Sequence, residues 1–360
     1  MDRIAVVLPG IMGSVLRYHE SEKHGEIWGE NFIENYHRLI HNPDVLKWTG
    51  KTASASLLKT ARLSDWVPFV KIELWKNSLE FLAGLKEFRL PSHLIELGYD
   101  WRASLIESAK LVSQKLSNHV NAHLDSLRSS SDPQFTFLTH SMGGLVLRIA
   151  LGLKLINYSW IDRIVHIGSP LKGAAVAFRV AYDRSTLPLL REILRQVHRK
   201  NGALFESNLS KCFKSFPSLY QLMPQREIRY LFYSPSVITN PLEETFLPET
   251  CRQLAEEAHQ KLADAEQYII THKIKVITIY TAINEDDETE LMYRVTAIGP
   301  PDTGYRIEET VGKTTLGDGT VPAESASGSV AGAVGKSVLN VKHAYLCNSK
   351  KVVELLATII

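Results

Sequence analysis

Three residues that could together attack an ester occur in this order along the sequence: Ser141, Asp318 and His343. A serine hydroxyl is a poor nucleophile until a base takes its proton, and an imidazole titrates near neutral pH. A carboxylate beside the imidazole fixes its tautomer and stabilises the imidazolium that forms. The residue types therefore predict a catalytic triad with a nucleophile, an acid and a base.

The segment around Ser141 predicts a strand, a sharp turn and a helix. Residues 135–139 are apolar and rich in β-formers, and an apolar helix-like sequence follows Gly144. A nucleophile elbow crowds the backbone, and Thr139, Gly143 and Gly144 are small enough for it. Thr139 stands at the first glycine position of the common G-x-S-x-G pattern. The alternative is a strand–helix connection that merely contains a serine, because short motifs give false positives.

A second glycine-flanked turn comes near the start of the chain. Residues 4–8 form a continuous apolar run, which predicts a strand buried on both faces of a parallel sheet. The turn Pro9–Gly13 follows it and could present free backbone N–H groups, although an ordinary strand-to-loop turn is the alternative. We predict that the backbone N–H groups of Ile11 and Met142 form the oxyanion hole.

The acid and the base are predicted from their positions. Asp318 lies between two glycines, in a loop that could bend toward the histidine. His343 is preferred among 13 histidines because it follows the last predicted strand, residues 338–341, and precedes the last predicted helix. The chain order serine, acid, histidine, with each residue after a strand, is that of the α/β-hydrolase fold.

Apolar strands alternate with helical stretches along the chain, which predicts an α/β fold with a mostly parallel, doubly wound sheet. We expect residues 1–360 to form a single α/β-hydrolase domain. Two segments between the predicted sheet strands, at about 15–90 and 174–272, are expected to be cap-like or lid-like insertions. Further strands are predicted at 93–102, 161–168 and 273–280, and helices at 74–85, 104–127, 187–197 and 252–268.

The composition narrows the class of protein. The net charge of +2 indicates no field that would attract nucleic acid, so no nucleic-acid partner is expected. No apolar run reaches the roughly 18 residues of a membrane span, and no signal peptide is apparent, so a cytoplasmic location is expected. Three widely spaced cysteines make disulfides and a zinc site unexpected. Peripheral contact with a membrane is left open.

The sequence resembles the lecithin:cholesterol acyltransferase-like family of α/β-hydrolases, which includes lysosomal phospholipase A2 and phospholipid:diacylglycerol acyltransferases. The motifs that carry the resemblance follow the family's order over most of the chain. They are residues 8–14, Gly98-Tyr-Asp-Trp-Arg102, Thr139-His-Ser-Met-Gly143, residues 167–173, residues 216–224 and Gly317-Asp-Gly-Thr-Val-Pro322.

The resemblance implies that Ser141, Asp318 and His343 match the family's triad, and that Ile11 and Met142 match its oxyanion positions. It also implies acyl-ester cleavage or acyl transfer on lipids, without a metal or an organic cofactor. The predicted function is therefore a serine esterase, lipase or lipid O-acyltransferase that forms an acyl-Ser141 intermediate, with a lipid or other acyl ester as substrate. The alternative is a catalytically inactive, hydrolase-like binding or scaffold module.

Overall fold

The computed structural model describes residues 3–18, 25–62, 71–88, 93–124, 133–182, 202–224, 249–296, 306–328 and 332–360. Its centre is a six-stranded sheet with parallel neighbours throughout. The strands are β1 (Arg3–Leu8), β7 (Leu94–Glu96), β8 (Gln134–His140), β9 (Ile161–Ile167), β10 (Val276–Ile283) and β13 (Val334–Leu339). Their spatial order is β13-β10-β9-β8-β1-β7, which places β1 and β8 side by side inside the sheet.

Helices cover both faces of the sheet, as the sequence predicted for a doubly wound fold. One face is covered by α3 (Leu105–Leu124), α4 (Met142–Gly152) and α8 (Glu249–Thr271), and the other by α2 (Lys76–Gly84) and α10 (Lys350–Ile359). Successive strand residues point to opposite faces. In β1, Val6 therefore joins the first apolar core and Val7 the second, and both are fully buried.

The segment between β1 and β7 is more ordered than the sequence indicated. It contains β2 (Ser14–Arg17), β3 (Glu26–Trp28), β4 (Ser54–Leu57), β5 (Thr60–Arg62), β6 (Lys71–Glu73), α1 (Phe32–His41), α2 and short 3-10 helices at Pro43–Val45 and Lys86–Phe88. The strands form two small antiparallel sheets, β3-β2-β4 and β5-β6. These strands were not predicted from the sequence, because strands of three or four residues are too short to show a period.

Within the residues that the structure describes, the regular elements of the segment between β9 and β10 are helices. The segment contains α5 (Val176–Tyr182), α6 (Gly202–Phe213), α7 (Pro217–Gln221) and α8. The helix predicted at 187–197 lies outside the described residues. The helix predicted at 252–268 forms part of α8, which buries Ala255, Ala258 and Ala265 against the core that α4 shares.

The chain after β10 leaves the central sheet and forms an antiparallel strand pair. β11 (Thr289–Thr296) pairs with β12 (Arg306–Thr314), whereas β10 pairs with β9 and β13. The remaining elements are α9 (Ala323–Ser327) and 3-10 helices at Tyr158–Trp160 and His343–Asn348. Across the described ranges, no helix combines the length and the apolar character that crossing a membrane requires.

The strand predicted at 93–102 ends at Glu96, and the residues beyond it form a buried loop. In this loop Arg102 forms an ion pair of 2.8 Å with Asp100, and both side chains are almost fully buried. Asp100 also accepts the backbone N–H of Ala53 at 2.8 Å. These contacts give the pair a structural role, because they fasten the first inserted segment to the loop.

Candidate active site

Ser141 stands at the apex of the turn between β8 and α4. Its backbone has a φ of +52° and a ψ of −128°, in a region that non-glycine residues rarely adopt. The Ser141 N–H donates to the carbonyl of Ile167 on the neighbouring strand at 3.0 Å. A Cβ on Gly143 would lie only 2.4 Å from the carbonyl oxygen of Pro9, so the close packing of the elbow requires glycine there.

The structure brings the three predicted triad side chains into one chain of hydrogen bonds. Ser141 Oγ lies 2.8 Å from His343 Nε2, and His343 Nδ1 lies 2.7 Å from Asp318 Oδ2. The carboxylate accepts the Nδ1 proton, which leaves Nε2 free to accept the serine proton. This is the geometry that general-base activation of a hydroxyl requires.

Backbone N–H groups of the Asp318 loop bind one carboxylate oxygen, and the other carboxylate oxygen bonds to His343. Oδ1 accepts backbone N–H bonds from Thr320 at 3.0 Å and Val321 at 2.7 Å. The backbone N–H of His343 donates to the Asp318 carbonyl at 3.0 Å. The Asp318 side chain is 1% exposed and that of His343 is 14% exposed, so little water competes for the bond between them.

The two predicted oxyanion positions flank the serine. Met142 is the first residue of α4, where backbone N–H groups lack intrahelical partners. Ile11 lies in the turn after β1, which closes through a bond from Gly13 N–H to the Gly10 carbonyl at 3.0 Å. A Cβ on Gly10 would be 2.6 Å from Ser141 Cβ, so this turn packs directly against Ser141.

Tyr99 supports the oxyanion turn, which the sequence did not reveal. Its hydroxyl donates to the carbonyl of Pro9 at 2.8 Å, and its backbone N–H donates to Ser14 Oγ at 3.2 Å. Trp101 Nε1 donates to the Ser14 carbonyl at 3.1 Å. The segment Gly98-Tyr-Asp-Trp-Arg102 was quoted as a family motif, and that was the available signal. Its bonds to the turn, formed across more than 80 residues, could not be inferred from spacing.

The serine faces a cavity with a volume of about 150 Å³. Ser141, His343 and Ile11 are among the residues that line it, and Lys342 and Thr320 are among its polar lining residues. Its wall is largely apolar and combines the two inserted segments with the sheet edge. The apolar wall residues include Trp28, Phe32, Leu58, Trp75, Val176 and Leu222.

Thr139 makes a contact that a glycine at the same position could not make. Its hydroxyl lies 2.7 Å from Nδ1 of His166, and both residues are fully buried. Thr139→Val is expected to lower the free energy of unfolding by about 1–3 kcal/mol, because it leaves a buried imidazole nitrogen without its partner. Urea denaturation at pH 7 measures the change. Thr358→Val, at an exposed position of α10, is the control, and equal stability of the two variants would contradict the prediction.

Two histidines near the elbow have pKa values well below the usual range. Burial and the neighbouring charge of Arg148 lower the pKa of His166. Burial, followed by the charge of His343, lowers the pKa of His140 to about 3. At a pH between the lowered pKa of each histidine and the ordinary pKa of about 6.5, the unfolded chain binds more protons than the folded protein does.

The free energy of unfolding is therefore expected to fall as the pH is lowered from about 6.5 toward 3. The expected loss is about 1.4 kcal/mol per pH unit for each of the two histidines. Urea denaturation at pH 7 and pH 5 measures it. His166→Asn should reduce the pH dependence, whereas His37→Gln, on the exposed face of α1, should not. An identical pH dependence in wild type and His166→Asn would refute the prediction.

A parallel sheet with helices on both faces, and a serine at the turn from strand to helix, define the α/β-hydrolase fold. The model of the lecithin:cholesterol acyltransferase family matches residues 70–229, which contain Ser141 and the Gly98–Arg102 motif. The resemblance predicted from the sequence motifs is therefore confirmed over that segment. No curated protein matches the chain in sequence.

Solved structures share the fold at low sequence identity. The structure of the Tle4–Tli4 complex aligns with a TM-score of 0.55 and 14% identity, over 99% of this chain and 98% of that chain. The mature lipase BlEst2 of Bacillus licheniformis aligns with a TM-score of 0.42 and 10% identity, over 99% of this chain and 91% of that chain. At 14% identity, the similarity to the first structure shows the fold.

Proposed function

We propose that this protein is a serine esterase or lipase that cleaves or transfers an acyl ester through an acyl-Ser141 intermediate. The observation that carries the proposal is the unbroken chain from Ser141 Oγ to His343 Nε2, and from His343 Nδ1 to Asp318. The family match and the fold support the coarser class, a lipid ester hydrolase or acyltransferase. The serine mechanism is inferred from the geometry of the three side chains.

In the proposed acylation step, His343 Nε2 accepts the proton of Ser141 as Oγ attacks the ester carbonyl. Asp318 stabilises the imidazolium that results, because its Oδ2 already accepts the Nδ1 proton. The imidazolium then gives its proton to the departing alcohol. The low exposure of Asp318 strengthens this interaction, because little water screens it.

The negative charge on the tetrahedral oxygen needs donors next to the serine. We assign this role to the backbone N–H groups of Ile11 and Met142, which flank Ser141 in the turn after β1 and at the start of α4. Each such donor is worth roughly 3 kcal/mol of transition-state stabilisation. The bond from Tyr99 to the Pro9 carbonyl holds the first donor's turn in place before substrate arrives.

The apolar wall of the cavity supports a substrate with a hydrocarbon acyl group, because it offers few polar partners to a charged one. In the second step a water molecule or a lipid alcohol attacks the acyl-enzyme, and the two acceptors give hydrolysis or transfer. We further propose that residues 1–360 form one domain. In this proposal the segments between β1 and β7 and between β9 and β10 cap the site and provide any peripheral contact with a lipid surface.

A panel of lipid esters tests the proposal, incubated with and without an acceptor alcohol, with the released or transferred acyl group measured by mass spectrometry. Free fatty acid in all reactions identifies a hydrolase, and acylated alcohol identifies a transferase. A fluorophosphonate probe run in parallel should label Ser141 in the wild-type protein. Absence of both turnover and labelling would reject the enzyme in favour of the inactive binding module.

A further inference from the structure

His140, the residue before the nucleophile, contacts the catalytic base without belonging to the triad. Its Nε2 lies 3.0 Å from the backbone carbonyl oxygen of His343. Because a carbonyl only accepts, Nε2 must carry the proton, and in the neutral ring the lone pair then lies on Nδ1. The two imidazole rings lie 4.8 Å apart between centroids at an angle of 34°.

The backbone of His343 thus forms hydrogen bonds on both sides, one to Asp318 and one to the residue that precedes Ser141. Its N–H donates to the carbonyl of Asp318 at 3.0 Å, and its carbonyl accepts from His140, which is bonded covalently to Ser141. These bonds close a ring through the nucleophile, the base and the acid. A shift of His343 away from Ser141 would therefore break one of the backbone bonds.

The surroundings of His140 keep its ring fixed and uncharged. The edge of Trp75 meets it at 6.1 Å between centroids and 87° between planes. A Cβ on Gly10 would lie 3.4 Å from His140 Nδ1, so the ring also borders the turn that contains Ile11. Burial lowers the pKa of His140, so its ring stays neutral when His343 becomes an imidazolium.

We propose that His140 is a positioning residue, whose Nε2–H bond to the His343 carbonyl holds the base at hydrogen-bond distance from Ser141. This inference rests on the proposed function. A neutral donor is required at this position, because a cation would repel the imidazolium that forms at His343 during acylation. A neutral side chain whose donor reaches the His343 carbonyl should therefore preserve turnover. A side chain too short to reach that carbonyl should lower turnover.

Glutamine and asparagine provide a matched pair, since they carry the same amide and differ by one methylene. The Nε2 of glutamine can take the place of the His140 Nε2, whereas the amide of asparagine falls short of the His343 carbonyl. For His140→Asn we expect kcat to fall by roughly 10- to 100-fold with KM within twofold of wild type, because misplacing a catalytic group by about 1 Å has effects of this size. For His140→Gln we expect kcat to remain within about threefold, as one retained hydrogen bond predicts.

The experiment measures kcat, KM and the melting temperature of both variants, with His37→Gln as a control at an exposed histidine. In parallel, proton NMR follows the low-field resonance of the His343 Nδ1 proton, which should stay in place in His140→Gln and shift or broaden in His140→Asn. Equal kcat losses in the two variants at equal melting temperature, or a wild-type resonance in His140→Asn, would overturn the proposal. The resonance does not depend on turnover, so it tests His140 even if the wild type cleaves no ester, an outcome that rejects the proposed function instead.

Discussion

Ser141→Ala is expected to reduce kcat for ester hydrolysis by about six orders of magnitude. The substitution removes the atom that would form the acyl bond and leaves the turn, the base and the acid in place. The fold should persist, because the bond from the Ser141 N–H to the Ile167 carbonyl involves only the backbone. Turnover of the best ester in the panel and fluorophosphonate labelling measure the effect, and circular dichroism measures the fold.

Ser54→Ala is the matched control for this prediction. Ser54 lies on β4 with an exposed side chain, so its hydroxyl can be removed without touching the cavity. Wild-type turnover is expected for this variant. If Ser141→Ala kept measurable activity toward every ester that the wild type cleaves, the nucleophile would have to be another residue.

Asp318→Asn is expected to lower kcat by about four orders of magnitude. The asparagine Oδ1 can still accept the N–H groups of Thr320 and Val321, so the loop should keep its shape. The amide nitrogen, however, takes the place of Oδ2 and cannot accept the Nδ1 proton of His343. The base then adopts the wrong tautomer, and its imidazolium loses the negative charge that stabilises it.

Asp286→Asn tests whether any acid in this part of the chain would have the same effect. Asp286 is exposed in the connection between β10 and β11, and its replacement is expected to leave kcat within twofold. Asp302, which lies outside the described residues, provides a second control in Asp302→Asn. A larger loss in either control than in Asp318→Asn would mean that the acid has been misassigned.

The strands of the sheet were predictable where burial on both faces leaves an apolar pattern within the strand's own sequence. Residues 4–8 are a continuous apolar run and residues 135–139 and 161–168 are mainly apolar, because a parallel strand inside the sheet is buried on both faces. Each segment forms a strand close to its predicted bounds. The strand at 93–102 was predicted too long, because the apolar and aromatic residues after Glu96 are buried by packing in a loop. Burial alone cannot distinguish the two.

The candidate triad was also predictable, because its chemistry requires three particular residue types and the topology fixes their order. The supporting contacts were not. Tyr99 bonds to Pro9 across 90 residues and His140 bonds to His343 across 203, and in both cases the acceptor is a backbone carbonyl. Every residue offers the same backbone carbonyl, so the sequence does not indicate which one is used. Only the folded arrangement reveals these partners.

The helix that follows Ser141 has a consequence for motion in this protein. All residues from Met142 to Leu151 are buried, and α8 approaches α4 so closely that a Cβ on Gly152 would lie 2.1 Å from the carbonyl oxygen of Lys261. A helix enclosed on all sides opens only when the core opens. Its backbone amides should therefore rank among the slowest to exchange with deuterium, and the nucleophile should stay still while access to it changes. Any rearrangement that admits a long acyl chain is then expected in the other segments that line the cavity, which include parts of the two inserted segments.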